Sequence, residues 1–120
     1  DFCLSRGLGD VYKRQESVLH NFTGGTDGAN PAAGLIMDAK GNLYGTTTLG
    51  SASDHGVVFK VSSKGKESVL YRFTGGADGA NPQAALIMDA KGNLYGTTKN
   101  GGDLNCGNGS GCGTVFKLAP

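Results

Sequence analysis

The chain has 120 residues, 38% hydrophobic and 18% charged, with 22 glycines, three cysteines, no tryptophan and a formal charge of +1. That length holds one small domain or part of a larger one, and no stretch approaches the roughly 18 to 20 apolar residues needed to span a bilayer as a helix. So much glycine without a collagen-like period implies many tight turns, and favours short strands over helices.

Residues 1–15, DFCLSRGLGDVYKRQ, have no counterpart elsewhere in the chain. Their tail DVYKRQ resembles the in-frame translation of a transposase end used as a sequencing adapter, so the segment is read as an artefact and set aside. This removes Arg6, Lys13 and Arg14 with Asp1 and Asp10 from 11 basic and 10 acidic residues, leaving eight of each. The remainder is neutral. It carries no basic stripe for a phosphate backbone or an anionic membrane surface, so nucleic acid is not an expected partner and no membrane insertion is expected.

Residues 16–47 read ESVLHNFTGGTDGANPAAGLIMDAKGNLYGTT, and 51 positions later residues 67–98 read ESVLYRFTGGADGANPQAALIMDAKGNLYGTT. The copies differ only at His20/Tyr71, Asn21/Arg72, Thr26/Ala77, Ala32/Gln83 and Gly34/Ala85. Such a period marks a repeat architecture, in which each unit buries apolar surface against its neighbour.

Within a unit, four segments have strand composition between turn residues: 35–38, 42–47, 56–61 and 67–73. The turn Asp38-Ala39-Lys40-Gly41-Asn42 begins with a carboxylate that can cap backbone N–H groups and places Gly where φ must be positive; Ser62-Ser63-Lys64-Gly65-Lys66 repeats that logic. Alternation puts Val57, Phe59 and Val61 on one face of their strand and Val69, Tyr71 and Phe73 on one face of theirs, with Lys60 and Arg72 opposite. Leu35-Ile36-Met37 is continuously apolar, as expected of a strand covered on both sides. No helix longer than a turn is expected.

The expected fold is therefore all-β, with four-stranded antiparallel repeats of about 51 residues forming the blades of a β-propeller. An open solenoid or stack of hairpins is the other architecture these strands could build. On the propeller reading, 16–34 hold the last strand and linking loop of a preceding blade, 35–73 the first blade, and 74–120 a linking loop and three strands of a second, truncated blade. Face-to-face stacking would hide Leu35, Met37, Leu43, Val57, Phe59 and their copies. A propeller typically needs four to eight blades, so the chain is expected to be a fragment of an incomplete ring whose partners include neighbouring blades.

The motifs GANPxAxLIMDAKGNLYGTT and GTVFKL resemble the choice-of-anchor tandem repeat proteins called GloVer, over essentially residues 16–118. The resemblance implies a bacterial exported or cell-surface repeat protein and transfers no catalytic residue. The DxxGNLY segment is also similar to the turn of NHL-type propeller blades, an analogy that bears on fold rather than activity.

Cys106 and Cys112 flank the insertion CGNGSGC, with five residues between them. In an exported protein a disulfide closing this Gly-rich loop is the default expectation. A metal site there lacks a second CxxC or a His pair, and redox catalysis lacks CxxC spacing. Asp27 and Asn30, with their copies Asp78 and Asn81, offer oxygen atoms that could meet Ca²⁺ or another ligand; the alternative is that they cap a wide turn ahead of Pro31 and Pro82. Asp38, Asn42, Asp89 and Asn93 are expected to be turn caps. His20 and His55 are not repeated, and no Ser/His/Asp order, P-loop or dinucleotide fingerprint occurs. No metal and no cofactor beyond that Ca²⁺ option is expected. Three functions follow in order of preference: a non-catalytic binding or display scaffold for glycans or protein partners, a structural spacer, and a fragment of a carbohydrate-active enzyme.

Overall fold

The structure, a computed structural model, describes residues 17–50 and 54–120; the adapter-like segment 1–15 lies outside them. Among the described residues, two antiparallel sheets contain seven strands. The first sheet orders β1 (Ile36–Met37), β2 (Leu43–Thr47), β3 (Val57–Val61) and β4 (Glu67–Arg72) side by side, and the second orders β5 (Ile87–Met88), β6 (Leu94–Thr98) and β7 (Thr114–Leu118). Among the described residues there is no α-helix, only a 3₁₀ turn at Gly107–Gly109. The sheets share a register: Tyr44 opposes Lys60 as Tyr95 opposes Lys117, and Gly45 opposes Phe59 as Gly96 opposes Phe116.

Two different hairpin turns use one device. Between β3 and β4, Ser62 Oγ accepts from the N–H groups of Lys64 and Lys66 at 3.3 and 3.1 Å, while Gly65 at φ +86° lets the chain reverse. Asp38 does the same work between β1 and β2, described below. Residues 17–22, the counterpart of β4, join no ladder among the described residues.

The first sheet buries both faces. One carries Val57, Phe59 and Val61, packed by Phe22, Leu43 and Val69. The other carries Tyr44 and Val58, which with Phe73 meet Leu86 and Leu94 of the second sheet. The second of these clusters is an inter-sheet layer, the back of one repeat against the front of the next. Phe73 fixes the joint: its ring lies edge-on to Phe116 at 5.2 Å, as that of Phe22 lies on Phe59 at 5.0 Å.

Three expectations need correction. A β-bulge shifts the β3–β4 register between Val58 and Phe59, so that Val69 opposes Phe59 while Tyr71 opposes Val58. Val69 and Tyr71 therefore lie on opposite faces, because the extra residue, Leu70, breaks the two-residue period. Second, neither copy of Leu-Ile-Met is covered on both sides. Leu35 is 52% exposed and its copy Leu86 1%, whereas Ile36 is half-buried and its copy Ile87 69% exposed. Third, Leu35 and Met37 are not hidden: on the face opposite the joint the buried cluster covers Val57, Phe59 and Val61 but leaves Leu35 52% and Met37 66% exposed.

Gly45 and Gly96 explain how a glycine sits mid-strand. A Cβ at Gly45 would stand 2.6 Å from Leu35 and 2.8 Å from the Phe59 ring, and one at Gly96 would strike Phe116 and Leu86 equally closely. The missing side chain is the slot that admits the cross-strand phenylalanine.

Candidate interaction surface

The hairpin between β1 and β2 is a hydrogen-bonded cradle around Asp38. Its Oδ1 accepts from the N–H groups of Lys40 and Asn42 at 2.9 and 3.0 Å, and its Oδ2 from Asn42 Nδ2 and the Tyr44 hydroxyl at 3.0 and 2.8 Å. Asp89 repeats all four contacts with Lys91, Asn93 and Tyr95, at 2.9, 3.0, 2.9 and 2.8 Å. Hydrogen bonds to the charged form favour it. Those from Asn42 and then Tyr44 hold the Asp38 carboxyl well below the usual carboxylate range, and those from Asn93 and Tyr95 bring Asp89 down to about 2. The tyrosines shift the other way: burial and then Asp38 raise Tyr44, and the Asp89 hydrogen bond raises Tyr95.

Asp27 and Asp78 organise the linking loops. The Thr23 hydroxyl and N–H donate to Asp27 at 2.6 and 3.0 Å, and the Thr74 hydroxyl and N–H donate to Asp78 at 2.6 and 3.1 Å. One partner differs between the copies. His20 Nε2 stands 3.1 Å from Asp27 Oδ2, where the Tyr71 hydroxyl donates to Asp78 Oδ2 at 2.6 Å. Thr23 foremost holds Asp27 below its ordinary value; for Asp78, burial works upward but the bonds from Thr74 and Tyr71 outweigh it. An ion at either carboxylate would have to displace these bonds.

Asn30 and Asn81 both stand at positive φ, 59° and 54°, but in different surroundings. Asn30 is exposed, its carbonyl accepting from the Thr48 N–H at 3.1 Å. Asn81 ties the two repeats together. Its N–H donates to the His55 carbonyl at 2.8 Å, its Nδ2 to the Thr48 carbonyl at 2.9 Å, and its own carbonyl accepts from the Lys99 N–H at 3.2 Å. Beside it, Gly79 and Gly101 pass so closely that a Cβ on Gly101 would sit 2.5 Å from the Gly79 Cα.

Cys106 and Cys112 form a disulfide with Cα atoms 5.6 Å apart. The ring pins the long β6–β7 loop, where Gly111 N–H donates to the Cys106 carbonyl at 3.0 Å and Gly101 N–H to the Ser110 carbonyl at 2.8 Å. Gly102 N–H reaches the Gly76 carbonyl at 2.9 Å, coupling this loop to the linking loop.

The predicted residues sit in separate turns; Asp38, Asn42 and Asp89 alone share a groove, while Asp27, Asn30, Asp78, Asn81 and the two cysteines lie outside it. What sequence reasoning missed is the groove between the two Asp-headed hairpins. Met37, Asp38 and Lys40 line it from one repeat, Met88, Asp89 and Lys91 from the next, with Lys60 alongside. Lys60 Nζ lies 6.0 Å from the centre of the Tyr44 ring, and among the described residues no ion pair engages these three lysines. The signal was present in the duplicated AKGN, where each copy sets a lysine one turn from the capped Asp. Among the described residues, no group of three or more His, Cys, Asp or Glu side chains is placed to share a metal ion, and no helix is long and apolar enough to cross a membrane.

Paired sheets of one register with duplicated caps and duplicated loops define an all-β tandem-repeat protein. The chain belongs to the Gloeobacter/Verrucomicrobia repeat family, whose model matches residues 5–120. No curated protein and no solved structure matches it.

Proposed function

We propose that this protein is a non-catalytic scaffold of propeller type, carried outside the cell or on its surface, whose row of hairpins binds an extended polysaccharide. The supporting observation is the groove in which one set of side chains appears twice, one repeat apart. A linear polymer with a repeating unit can engage both sets, and two weak contacts on a rigid spacing multiply into useful avidity. The carboxylates at the groove keep their charge but spend their oxygens on their own turns, so with Lys40, Lys60 and Lys91 against Asp38 and Asp89 the balance is three positive to two negative, and the lysine ammonium groups are the ones left to meet uronate or sulfate groups. Four antiparallel strands joined by tight hairpins, with a loop leading from the last strand to the first of the next unit, are the plan of a propeller blade. The disulfide supports an oxidising compartment.

The test is a glycan array followed by titration calorimetry with the acidic polysaccharides that bind. Lys40→Ala and Lys91→Ala should each weaken binding, and the double variant should weaken it by about tenfold or more. Absence of binding to any polysaccharide would refute the reading and leave the spacer; release of new reducing ends would replace it with a carbohydrate-active enzyme.

A further inference from the structure

The chain holds two Asn-Gly pairs, Asn100-Gly101 and Asn108-Gly109, both in the long β6–β7 loop. Such a pair has a chemistry of its own. Glycine has no Cβ to fend off the preceding side chain, so its amide nitrogen can reach the asparagine carboxamide carbon and close a ring through it. The local sequence treats the two pairs alike, and the fold does not.

Asn100 is fixed on every side. Its N–H donates to the Ala80 carbonyl at 3.1 Å, and its carbonyl accepts from the Ala80 N–H at 2.8 Å and from the Thr98 hydroxyl at 2.9 Å. Its Nδ2 donates to Asn81 Oδ1 at 3.2 Å. The nitrogen that would attack belongs to Gly101, which is buried against Gly79 and donates to the Ser110 carbonyl at 2.8 Å. Gly101 cannot swing over the Asn100 side chain without breaking these bonds.

Asn108 is held by none of this. It stands at φ 59° and ψ 37° in the exposed 3₁₀ turn Gly107–Gly109, and among the described residues its side chain makes no hydrogen bond. Gly107 and Gly109 flank it at positive φ, 65° and 95°, and a Cβ at Gly109 would meet nothing within 4 Å. A single exposed turn between glycines opens at little cost, so the Gly109 nitrogen can turn onto the Asn108 side chain.

We propose that Asn108 is a self-modification site: the peptide nitrogen of Gly109 displaces the Asn108 amide as ammonia, and water opens the cyclic imide to aspartate or isoaspartate. The Gly109 nitrogen gives its proton to solvent base and forms a bond to Asn108 Cγ. The Cγ–Nδ2 bond breaks with its electron pair on Nδ2, which takes up a proton and leaves as ammonia. Water then adds its hydroxyl to either imide carbonyl, the C–N bond at that carbonyl breaks, and the nitrogen regains a proton. Nothing is oxidised or reduced. The ring closed by Cys106 and Cys112, which has no ionisable side chain, gains a carboxylate, and in the isoaspartate form its main chain lengthens by a methylene. A loop that reaches Gly76 through Gly102 thus changes charge and length as the protein ages, without an enzyme.

The experiment is tandem mass spectrometry of peptides from the folded, oxidised 120-residue chain, sampled during incubation at mildly alkaline pH. The acid form should appear at Asn108 at least about tenfold faster than at Asn100, with isoaspartate among the products. In urea with the bridge reduced, the lag of Asn100 should fall to about threefold or less, because both pairs then share one local chemistry. An Asn108 that keeps its amide, or an Asn100 that keeps pace with it in the folded chain, would overturn the proposal. So would a larger lag of Asn100 in urea, since the fold would then not be what protects it. Aspartate without isoaspartate would overturn it too, because direct hydrolysis by water bypasses Gly109 and yields aspartate alone.

Discussion

Replacing Phe73 with alanine tests whether the joint between the repeats holds the protein together. The side chain is 1% exposed and sits between the first sheet and Phe116. Withdrawing a ring of this size from water is worth about 3 kcal/mol, and its edge-on pairing with Tyr71 and Phe116 adds about 1 kcal/mol. The total of about 4 kcal/mol lies within the range of about 3–5 kcal/mol for buried Phe→Ala changes, and is a large part of a small domain's stability. Phe22→Ala removes the same residue at the matching position of the first repeat. Phe22 is only half-buried, so its loss should cost about 2 kcal/mol or less. Urea unfolding followed by circular dichroism measures both, since the chain has no tryptophan. Equal losses, or a loss below about 1 kcal/mol for Phe73→Ala, would refute the reasoning.

Four other predictions concern the turns, the loops and the start of β4. The Asp38 and Asp89 carboxyls are lowered from 3.8, Asp89 to about 2, so the stability they contribute is complete above 3.8 and is lost as pH falls through the folded values; Asp38→Asn with Asp89→Asn should flatten acid unfolding between about pH 4 and 2. Glu67 acts with the opposite sign, because burial raises its carboxyl and so its ionised form opposes folding at neutral pH; Glu67→Gln should narrow the gap in stability between pH 4 and pH 7. Reducing the Cys106–Cys112 bridge should cost at most about 2 kcal/mol for so short a ring, with amide exchange rising at Gly101 and Gly111 while β5, β6 and β7 stay protected. Gly101→Ala, forced against Gly79 at φ +80°, should destabilise by more than about 1 kcal/mol, whereas Gly34→Ala, with open space and Ala85 as its copy, should be neutral or slightly stabilising. Thermal melts of the two glycine variants decide it.

Much of the local structure was legible because turn chemistry is short-range: Asp or Ser at the head of a hairpin and Gly near its end specify a reversal from five residues alone. The all-β class and the two matching sheets follow from these signals and the 51-residue period. What stayed hidden depends on position in the stack. Leu35 and Leu86 have nearly identical neighbours in sequence, yet one is open and the other sealed, so no window around either could tell them apart. The bulge at Leu70 was hidden for a related reason, since SVLYRF alternates acceptably on paper and only the partner strand shows the extra residue. Asn81 reads as a turn former in both copies, and its role as a tie between repeats exists only where the loops containing Thr48 and His55 reach it. The lysine groove likewise needs two hairpins side by side, a juxtaposition that one copy of the motif does not encode.

The most direct measurement is a nuclear Overhauser spectrum of the aromatic side chains at neutral pH. Cross-peaks between the Phe73 and Phe116 rings, matching those between Phe22 and Phe59, are the predicted result for centres 5.2 and 5.0 Å apart. Phe22–Phe59 peaks without their Phe73–Phe116 counterpart would mean that the sheets fold side by side without stacking, and would contradict the account.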